Sequence, residues 1–369
     1  MHSILKNLIA FNTISCNSNL ELMDYIQSYL KDQGIDSILD YNQDKTKANL
    51  LATIGPNVEG GIVLSGHTDV VPVEGQDWKT NPFELIEKDG RYYGRGTSDM
   101  KGFVALCLEL VPHIKNAPLT KPIHLAFSYD EEIGCQGAPT LVNHIAKHVP
   151  TPAFAIIGEP TLMDIVHSHK AIHCYKTTIH GTEAHSSCPH LGANAIVAAS
   201  KLIAFLEQEL AKSPTNEHFT PSTNTFNIGT IKGGNAVNII ANQCEFIWEV
   251  RLLPGYNGQH IIDALNQFSQ TLITDKLDIS TTELYSAPGL SSKHNEDVVR
   301  ILMNLLPSNQ CHAVAFATEA GLFEKVDIPS VVCGPGSIEQ ANNPNEFVDI
   351  SQLEECTTFL KKVINFACQ

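Results

Sequence analysis

The sequence predicts an α/β fold in which helices cover a sheet, with a second, smaller α+β segment inserted into the chain. Two observations support this prediction. Up to about Ala171, β-branched apolar runs alternate with amphipathic runs, which is typical of a sheet covered by helices. Beyond Ala171 the runs resemble antiparallel strands with two helices, and the first pattern returns after Ala287.

The first part of the chain begins with an amphipathic run, NLELMDYIQSYLKDQG (19–34), which predicts a helix capped at its C-terminus by Gly34. A second helix is predicted over DMKGFVALCLELVPHI (99–114), with Asp99 at its start. Strands are predicted over GGIVLSGHTDVV (60–71), PIHLAFSYDEE (122–132) and PAFAIIGEP (152–160).

The middle of the chain predicts a small α+β sandwich. Its strands are IHCYKTTIHG (172–181), NTFNIGTIKGG (224–234) and NQCEFIWEVRLLPG (242–255), and its helices are GANAIVAASKLIAFLEQELAKS (192–213) and GQHIIDALNQFSQTLI (258–273). We therefore predict a discontinuous α/β/α catalytic domain over 1–172 and 287–369, with an inserted domain over 173–286.

Composition narrows the class of function. The 369 residues are 43% hydrophobic and 17% charged, as in an ordinary globular protein. The net charge of −16 argues against nucleic acid or an anionic membrane as the main partner. The sequence shows neither a run long enough to span a membrane nor a signal-peptide pattern at its start. Ten scattered cysteines without a C-x-x-C pair predict reduced thiols and a cytoplasmic protein.

Potential metal ligands follow four apolar runs. His67 and Asp69 stand near the end of the strand predicted over 60–71, and Asp99 ends a glycine-punctuated turn. The adjacent acids Glu131 and Glu132 end the strand predicted over 122–132, and Glu159 stands near the end of the strand predicted over 152–160. In open α/β sheets, functional groups gather beyond the carboxyl ends of the strands. One histidine with several carboxylates suits zinc, cobalt or manganese. A single acid at such a place is more often a helix cap or a solvated residue, so the prediction depends on the coincidence of four positions.

Six motifs resemble, in order and spacing, the M20 family of metallo-aminoacylases and peptidases. They are SGHTDVVP (65–72), YGRGTSDMKG (93–102), DEEIGCQGA (130–138), IGEPT (157–161), GTEAHSS (181–187) and TEAGLF (318–323). The resemblance implies a homodimer formed through the inserted domain and hydrolysis of the N-acyl amide of a small-molecule amino acid. N-acetyl-L-ornithine, giving L-ornithine and acetate in arginine biosynthesis, is the first candidate substrate. Desuccinylation of succinyl-diaminopimelate and dipeptide cleavage are the alternatives within this chemistry.

The resemblance also assigns roles to residues. His67 and Glu159 would hold one Zn²⁺ or Co²⁺, and Asp99 would bridge it to a second ion held by Glu132. Asp69 would hydrogen-bond the imidazole of His67, and Glu131 would act as the general base. His185 would stabilise the oxyanion across the dimer interface, although the residue alone suggests a buried, hydrogen-bonded histidine. Substrate contacts are expected from Arg251, Asn238, Glu319 and Gly336, and Arg251 could equally pair with one of the many acids.

The sequence departs from the family pattern at one ligand. A histidine is expected after GPGS (334–337), but Asn342 occupies its place. Three interpretations are open: the enzyme works chiefly on one metal, Asn342 is a ligand through oxygen or water and shifts the metal preference, or the protein is a non-catalytic homologue that binds a ligand. An amidase that depends on cysteine or serine is a more distant alternative.

Overall fold

The computed structural model describes residues 2–256, 258–307 and 310–369. The chain divides into two units. The first unit comprises the chain up to Ser168 together with Leu290–Ala313 and Thr318–Gln369, and the second comprises His169–Gly289 with Val314–Ala317. Among the described residues, no helix combines the length and the apolarity that crossing a membrane requires. All ten cysteines are free thiols.

The helices, in chain order, are α1 (His2–Ala10), α2 (Leu20–Asp32), α3 (Lys101–Glu109), α4 (Val111–Asn116), α5 (Ala138–His148), α6 (Ala195–Leu210), α7 (Gln259–Gln270), α8 (Glu296–Met303), α9 (Ala320–Glu324) and α10 (Ile350–Phe366). The strands are β1 (Ser37–Tyr41), β2 (Ala48–Ile54), β3 (Ile62–His67), β4 (Ile86–Lys88), β5 (Arg91–Tyr93), β6 (Ile123–Ser128), β7 (Phe154–Ile157), β8 (Ile165–His169), β9 (Ala171–His180), β10 (Thr225–Gly233), β11 (Gln243–Leu252), β12 (Asp278–Ala287), β13 (Cys311–Val314), β14 (Ser330–Val332) and β15 (Phe347–Asp349).

The main sheet of the first unit has the strand order β1-β2-β6-β3-β7-β14-β8-β13. Its centre is parallel, because β3 pairs with both β6 and β7 in parallel register and β7 pairs in the same way with β14. The flanking pairs β1–β2, β2–β6 and β14–β8 are antiparallel. The sheet is therefore mixed, with the predicted ligand-bearing strands β6, β3 and β7 side by side at its centre.

Helices pack on both faces of this sheet. Ile62 and Leu64 of β3 belong to the core cluster that also contains Phe103 of α3. Because strand side chains alternate between faces, Ser65 points to the opposite side, where its hydroxyl reaches Glu319 at the start of α9. Both faces of β3 are buried, which explains why its sequence is a continuous apolar run rather than an alternating one.

The second unit is an antiparallel sheet with the strand order β10-β11-β9-β12 and two helices, α6 and α7. Burial alternates along β11, where Phe246, Trp248 and Val250 point into a core shared with Leu202 of α6. The side chain of Asn194 caps α6 by accepting hydrogen bonds from two backbone amides of its first turn.

The fold-class prediction is confirmed, and the structure corrects some predicted elements. The predicted helix over 99–114 forms two helices, because α3 ends before Leu110 and α4 begins at Val111. Asp99 precedes the helix, and Met100 is the residue that caps it. The strand β12 was not predicted because its sequence, DISTTELYSA, carries few apolar residues and lies half-exposed at the sheet edge.

Candidate metal centre

The predicted metal ligands and the predicted base meet at one edge of the main sheet. His67 is the last residue of β3, Glu131 follows the end of β6 by three residues, and Glu159 follows the end of β7 by two. Since β6, β3 and β7 are adjacent and parallel, their carboxyl ends open at the same edge. The strand pairing therefore brings together side chains that lie up to 92 positions apart in the sequence (67 to 159).

His67 is fully buried, and each of its ring nitrogens faces oxygen. Nδ1 lies 2.9 Å from the backbone carbonyl oxygen of Asp69. A carbonyl oxygen only accepts, so Nδ1 carries a proton and Nε2 is the nitrogen available to a cation. Nε2 lies 2.8 Å from Asp99 Oδ1 and 3.5 Å from Glu159 Oε1. Burial disfavours the imidazolium, but these carboxylates outweigh it and raise the pKa of His67 well above its ordinary value.

Asp69 faces the His67 ring in two ways. Its backbone carbonyl oxygen lies 2.9 Å from Nδ1, and its nearest carboxylate oxygen lies 3.5 Å from the same nitrogen. The carboxylate also accepts hydrogen bonds from Ser15 Oγ at 2.7 Å and from the backbone amides of Glu131 and Glu132 at 3.1 and 3.2 Å. Asp69 therefore connects the imidazole of His67 to the acidic turn.

The acidic turn is anchored by a lysine far away in the sequence. Asp130 adopts a left-handed backbone conformation with φ of 56°. Lys47 Nζ lies 2.5 and 2.7 Å from the two carboxylate oxygens of Asp130, and it also donates to the carbonyl of Ser15. The ion pair therefore neutralises the first of the three consecutive acids and ties the acidic turn to a distant segment of the chain.

Asp99 is presented by a turn that a buried ion pair holds. The carboxylate of Glu346 accepts hydrogen bonds from the backbone amides of Gly96, Ser98 and Asp99 at 3.1, 2.9 and 3.0 Å. Arg95 Nη1 lies 2.8 Å from the same carboxylate, and the arginine also donates to the carbonyls of 342 and 343. The pair thus connects the Asp99 turn to the loop that carries Asn342.

Two overlapping groups of side chains have the spacing of metal ligands. The ligand atoms of His67, Glu131 and Glu159 lie within 4.8 Å of one another, and so do those of His67, Asp99 and Glu132. Among the described residues, Oε1 of Glu132 is buried without a hydrogen-bond partner, so this atom is available to bind a cation. The donor set therefore fits divalent metal ions.

Concentrated negative charge dominates the electrostatics of this edge. Burial and the neighbouring carboxylates raise the pKa of Glu131 to about 8, with His67 opposing the shift. Burial and Asp99 raise the pKa values of Glu132 and Glu159 well above the ordinary range. Carboxylates this close repel one another, and a divalent cation between them would relieve that repulsion.

The other predicted residues of the first unit lie around this centre. Nδ2 of Asn342 is 3.5 Å from Glu132 Oε2, and the residue has φ of 65°. Gly336 has φ of 90°, and a Cβ there would come within 2.3 Å of Ser98 Oγ, so only glycine lets the GPGS turn approach the Asp99 turn. Glu319 is buried and accepts hydrogen bonds from Ser128 and Ser65, which places it beneath the ligands.

Three predicted residues belong to the second unit. His185 is exposed, so the alternative of a buried histidine is wrong, and its Nδ1 lies 2.8 Å from Ser187 Oγ. Asn238 is exposed and accepts a backbone hydrogen bond from Ser186. Arg251 pairs with Glu249 at 3.0 Å, in agreement with the alternative that this arginine pairs with one of the acids. Their roles toward substrate stay predictions.

Sequence reasoning missed the residues that support the ligands. Lys47 and Glu346 lie outside the recognised motifs, and neither has a neighbour in sequence that signals its role. Cys135 lies in the motif DEEIGCQGA without an assigned role, and its Sγ lies 3.4 Å from Glu131 Oε1. The motif lysine Lys101 is fully buried and donates to two carbonyls at the end of α1. Only the tertiary structure shows that the charged side chains of Lys47, Lys101 and Glu346 are buried or partly buried.

Comparisons with known proteins show the family to which the chain belongs. The sequence profile of peptidase family M20/M25/M40 matches residues 63–365. The chain is 36% identical to acetylornithine deacetylase of Pasteurella multocida (strain Pm70) over 361 residues, covering 95% of this chain and 92% of the relative. Its fold is similar to that of an M20 metallo-carboxypeptidase from Sulfolobus solfataricus, with a TM-score of 0.81, 18% identity and coverage of 100% and 98%.

A second solved structure, a Bacillus subtilis protein described as a dinuclear metal-binding peptidase of the M20 family, matches with a TM-score of 0.68. It is 17% identical to this chain, and the match covers 99% of this chain and 98% of that one. The family profile spans most of the chain, and the deacetylase relative exceeds 30% identity over nearly all of it. The chain therefore belongs to peptidase family M20/M25/M40 and is a metal-dependent amide hydrolase.

Proposed function

We propose that the protein hydrolyses the N-acyl amide bond of an amino acid, with N-acetyl-L-ornithine as substrate and L-ornithine and acetate as products. One observation carries the reaction type: the partly buried carboxylate of Glu131 lies beside the ligand atoms of His67 and Glu159 at the carboxyl edge of the sheet. The choice of substrate is supported by the similarity to acetylornithine deacetylase.

The residues that would hold metal are His67 and Glu159 for one ion and Glu132 for another, with Asp99 between them. Bound divalent ions supply Lewis acidity to the amide carbonyl and to the attacking water. Asp69 keeps the proton of His67 on Nδ1 through its carbonyl, so Nε2 keeps its lone pair for a cation. Glu346 and Arg95 hold Asp99 in place from below.

Glu131 would move the proton. Its backbone is fixed by Asp69, and its side chain accepts a hydrogen bond from the Cys135 thiol. A carboxylate oxygen of Glu131 would take a proton from the attacking water and then deliver it to the amine nitrogen that leaves. A general base placed in this way contributes about 10²–10⁴-fold to the rate.

The test is release of acetate from N-acetyl-L-ornithine by the wild type and three variants, each also analysed for bound zinc. We expect E131Q to lower kcat by at least about 10²-fold while keeping its metal, since it removes the base and not a ligand. E132Q should lose activity and bound metal together. E59Q, which changes an exposed glutamate of the same unit, serves as the matched control and should behave like wild type.

Four results would contradict all or part of the proposal. If E131Q lost metal as E132Q does, Glu131 would be a ligand and the assigned base would be wrong. If N-acetyl-L-ornithine were inert while succinyl-diaminopimelate or a dipeptide were cleaved, the reaction type would stand with another substrate. If all three were inert at every metal loading, the non-catalytic alternative would be correct. Insensitivity to chelators with loss of activity on alkylation would instead favour a cysteine-dependent amidase.

The wider assignments also stay proposals. The ten free thiols support the predicted cytoplasmic location. A homodimer through the second unit and a place in arginine biosynthesis follow from the family resemblance. Measurement of the mass of the purified protein in solution tests the dimer directly, and a monomer would remove the proposed action of His185 across an interface.

A further inference from the structure

The two ligand groups share a single imidazole. His67 belongs both to the group with Glu131 and Glu159 and to the group with Asp99 and Glu132. Among the residues that the structure describes, no second histidine or cysteine joins either group. Nitrogen donors at this centre are therefore limited to those that His67 can offer.

His67 can offer one nitrogen only. Nδ1 donates its proton to the carbonyl oxygen of Asp69 at 2.9 Å, which leaves Nε2 as the single lone pair. A nitrogen lone pair binds one cation at a time. Whichever ion receives Nε2, the other ion must be held by oxygen atoms from this set of side chains.

The oxygen donors of the second ion are identifiable. Asp99 and Glu132 supply carboxylates, and Oε1 of Glu132 is buried without a hydrogen-bond partner among the described residues. The Asn342 amide lies 3.5 Å from the other oxygen of Glu132. The loop around Asn342 is held by Gln76 and Arg95, which donate to its backbone carbonyl at 2.8 and 3.4 Å. A half-turn of the amide would point its oxygen toward the carboxylates.

We propose that the two metal positions are chemically unlike. The position that includes His67 is a mixed nitrogen and oxygen site suited to zinc. The position formed by Asp99, Glu132 and the Asn342 amide is an oxygen-only site suited to a harder cation such as Mn²⁺ or Mg²⁺. This inference rests on the metal centre of the proposed function, and it concerns which ion each position takes rather than the substrate.

The experiment measures metal binding without substrate. Apo protein receives one equivalent of Zn²⁺, and the affinity of the second equivalent is then measured for Mn²⁺ by electron paramagnetic resonance and for Zn²⁺ by competition with a chelator. Wild type should bind one Mn²⁺ per chain in this second position. In N342H, which adds an imidazole, the preference for zinc over manganese should rise by at least about tenfold.

Two further variants sharpen the comparison. N343H places an imidazole on the neighbouring exposed residue, whose amide contacts Glu339 rather than the ligands, and should leave the metal preference unchanged. N342D keeps an oxygen donor and adds charge, so it should tighten Mn²⁺ without raising the preference for zinc. It also provides an independent reading if N342H does not fold.

The inference fails if wild type excludes Mn²⁺ from the second position, or if N342H changes the preference no more than N343H does. These outcomes are separable from failure of the proposed function. Unlike metal positions in a protein that cleaves no acyl amino acid would overturn the function alone. Hydrolysis by a protein with two equivalent zinc positions would overturn this inference alone.

Discussion

The buried pair between Arg95 and Glu346 should be essential for the structure around Asp99, and the substitution E346Q tests this. Gln has nearly the shape of Glu, so the change removes charge with little change in volume. In the wild type, one carboxylate oxygen accepts from the amides of Ser98 and Asp99, and the other accepts from Gly96 and Arg95. The Gln amide places a donor against donors whichever way it is turned.

The expected magnitude follows from burial. The side chains of Arg95 and Glu346 are 1% and 0% exposed, so removing one partner leaves a buried guanidinium without its counter-charge. Breaking such a pair costs about 3–5 kcal/mol of stability. An opening free energy reduced by about 3 kcal/mol corresponds to amide hydrogen exchange that is faster by about 10²-fold.

The assay combines urea unfolding with hydrogen exchange of the amides at 96, 98 and 99. The matched control is D349N, which breaks the ion pair between Arg91 and Asp349. That pair has the same separation of 2.8 Å, but its side chains are 41% and 43% exposed. Water screens an exposed pair, so D349N should cost much less stability than E346Q and leave exchange at the Asp99 turn unchanged.

The reasoning is refuted if E346Q and D349N shift the unfolding midpoint equally, or if exchange at the three amides does not accelerate in E346Q. Either result would mean that the Asp99 turn is held by its own backbone or by the surrounding core. The ion pair would then have no special part in presenting the ligand.

Two other predictions concern residues near and far from the centre. C135A removes the thiol that donates to Glu131 and should lower kcat about fivefold with KM unchanged. C135S should recover most of the lost kcat, because a hydroxyl can replace the thiol as donor. Equal rates in both variants would show that the contact does not affect catalysis. Burial lowers the pKa of His124 to about 4 in the folded protein. Below about pH 6.5 the unfolded chain therefore binds a proton on this ring that the folded protein does not yet bind. Stability from the neutral ring is complete above pH 6.5 and is lost as the pH falls toward 4. Between pH 7 and pH 5 the wild type should therefore lose about 2 kcal/mol more than H124Q in urea unfolding, and parallel losses would show that the ring does not titrate in this way.

The sequence by itself determined which strands precede the proposed metal ligands and the proposed base. His67, Glu131 and Glu159 each end an apolar run long enough to cross a buried sheet, and parallel strands place their carboxyl ends at one edge. The same local pattern located the helices α2, α6 and α7, because their apolar spacing persists over many residues. The boundaries of the inserted domain, at 173 and 286, stay predictions.

Sequence could not reveal how the ligands are held. Lys47 anchors Asp130 from 83 residues away, and Glu346 reaches the Asp99 turn from 247 residues away. The Asp69 carboxylate was expected beside the His67 ring, but its further hydrogen bonds to Ser15 and to the acidic turn were not expected. The tertiary structure determines these partners, because a buried charge pairs with the opposite charge or backbone amide that packing places beside it.

Asn342 shows the same contrast between what a local motif reveals and what tertiary contacts decide. The sequence marked it as the place where a family ligand is absent, because a motif is a local pattern. Its distance of 3.5 Å from Glu132 and its membership of a loop held by Arg95 were decided by the tertiary structure. Periodicity and motifs are properties of neighbouring residues and can be read from the chain, whereas hydrogen bonds between distant segments form only when the whole core has packed.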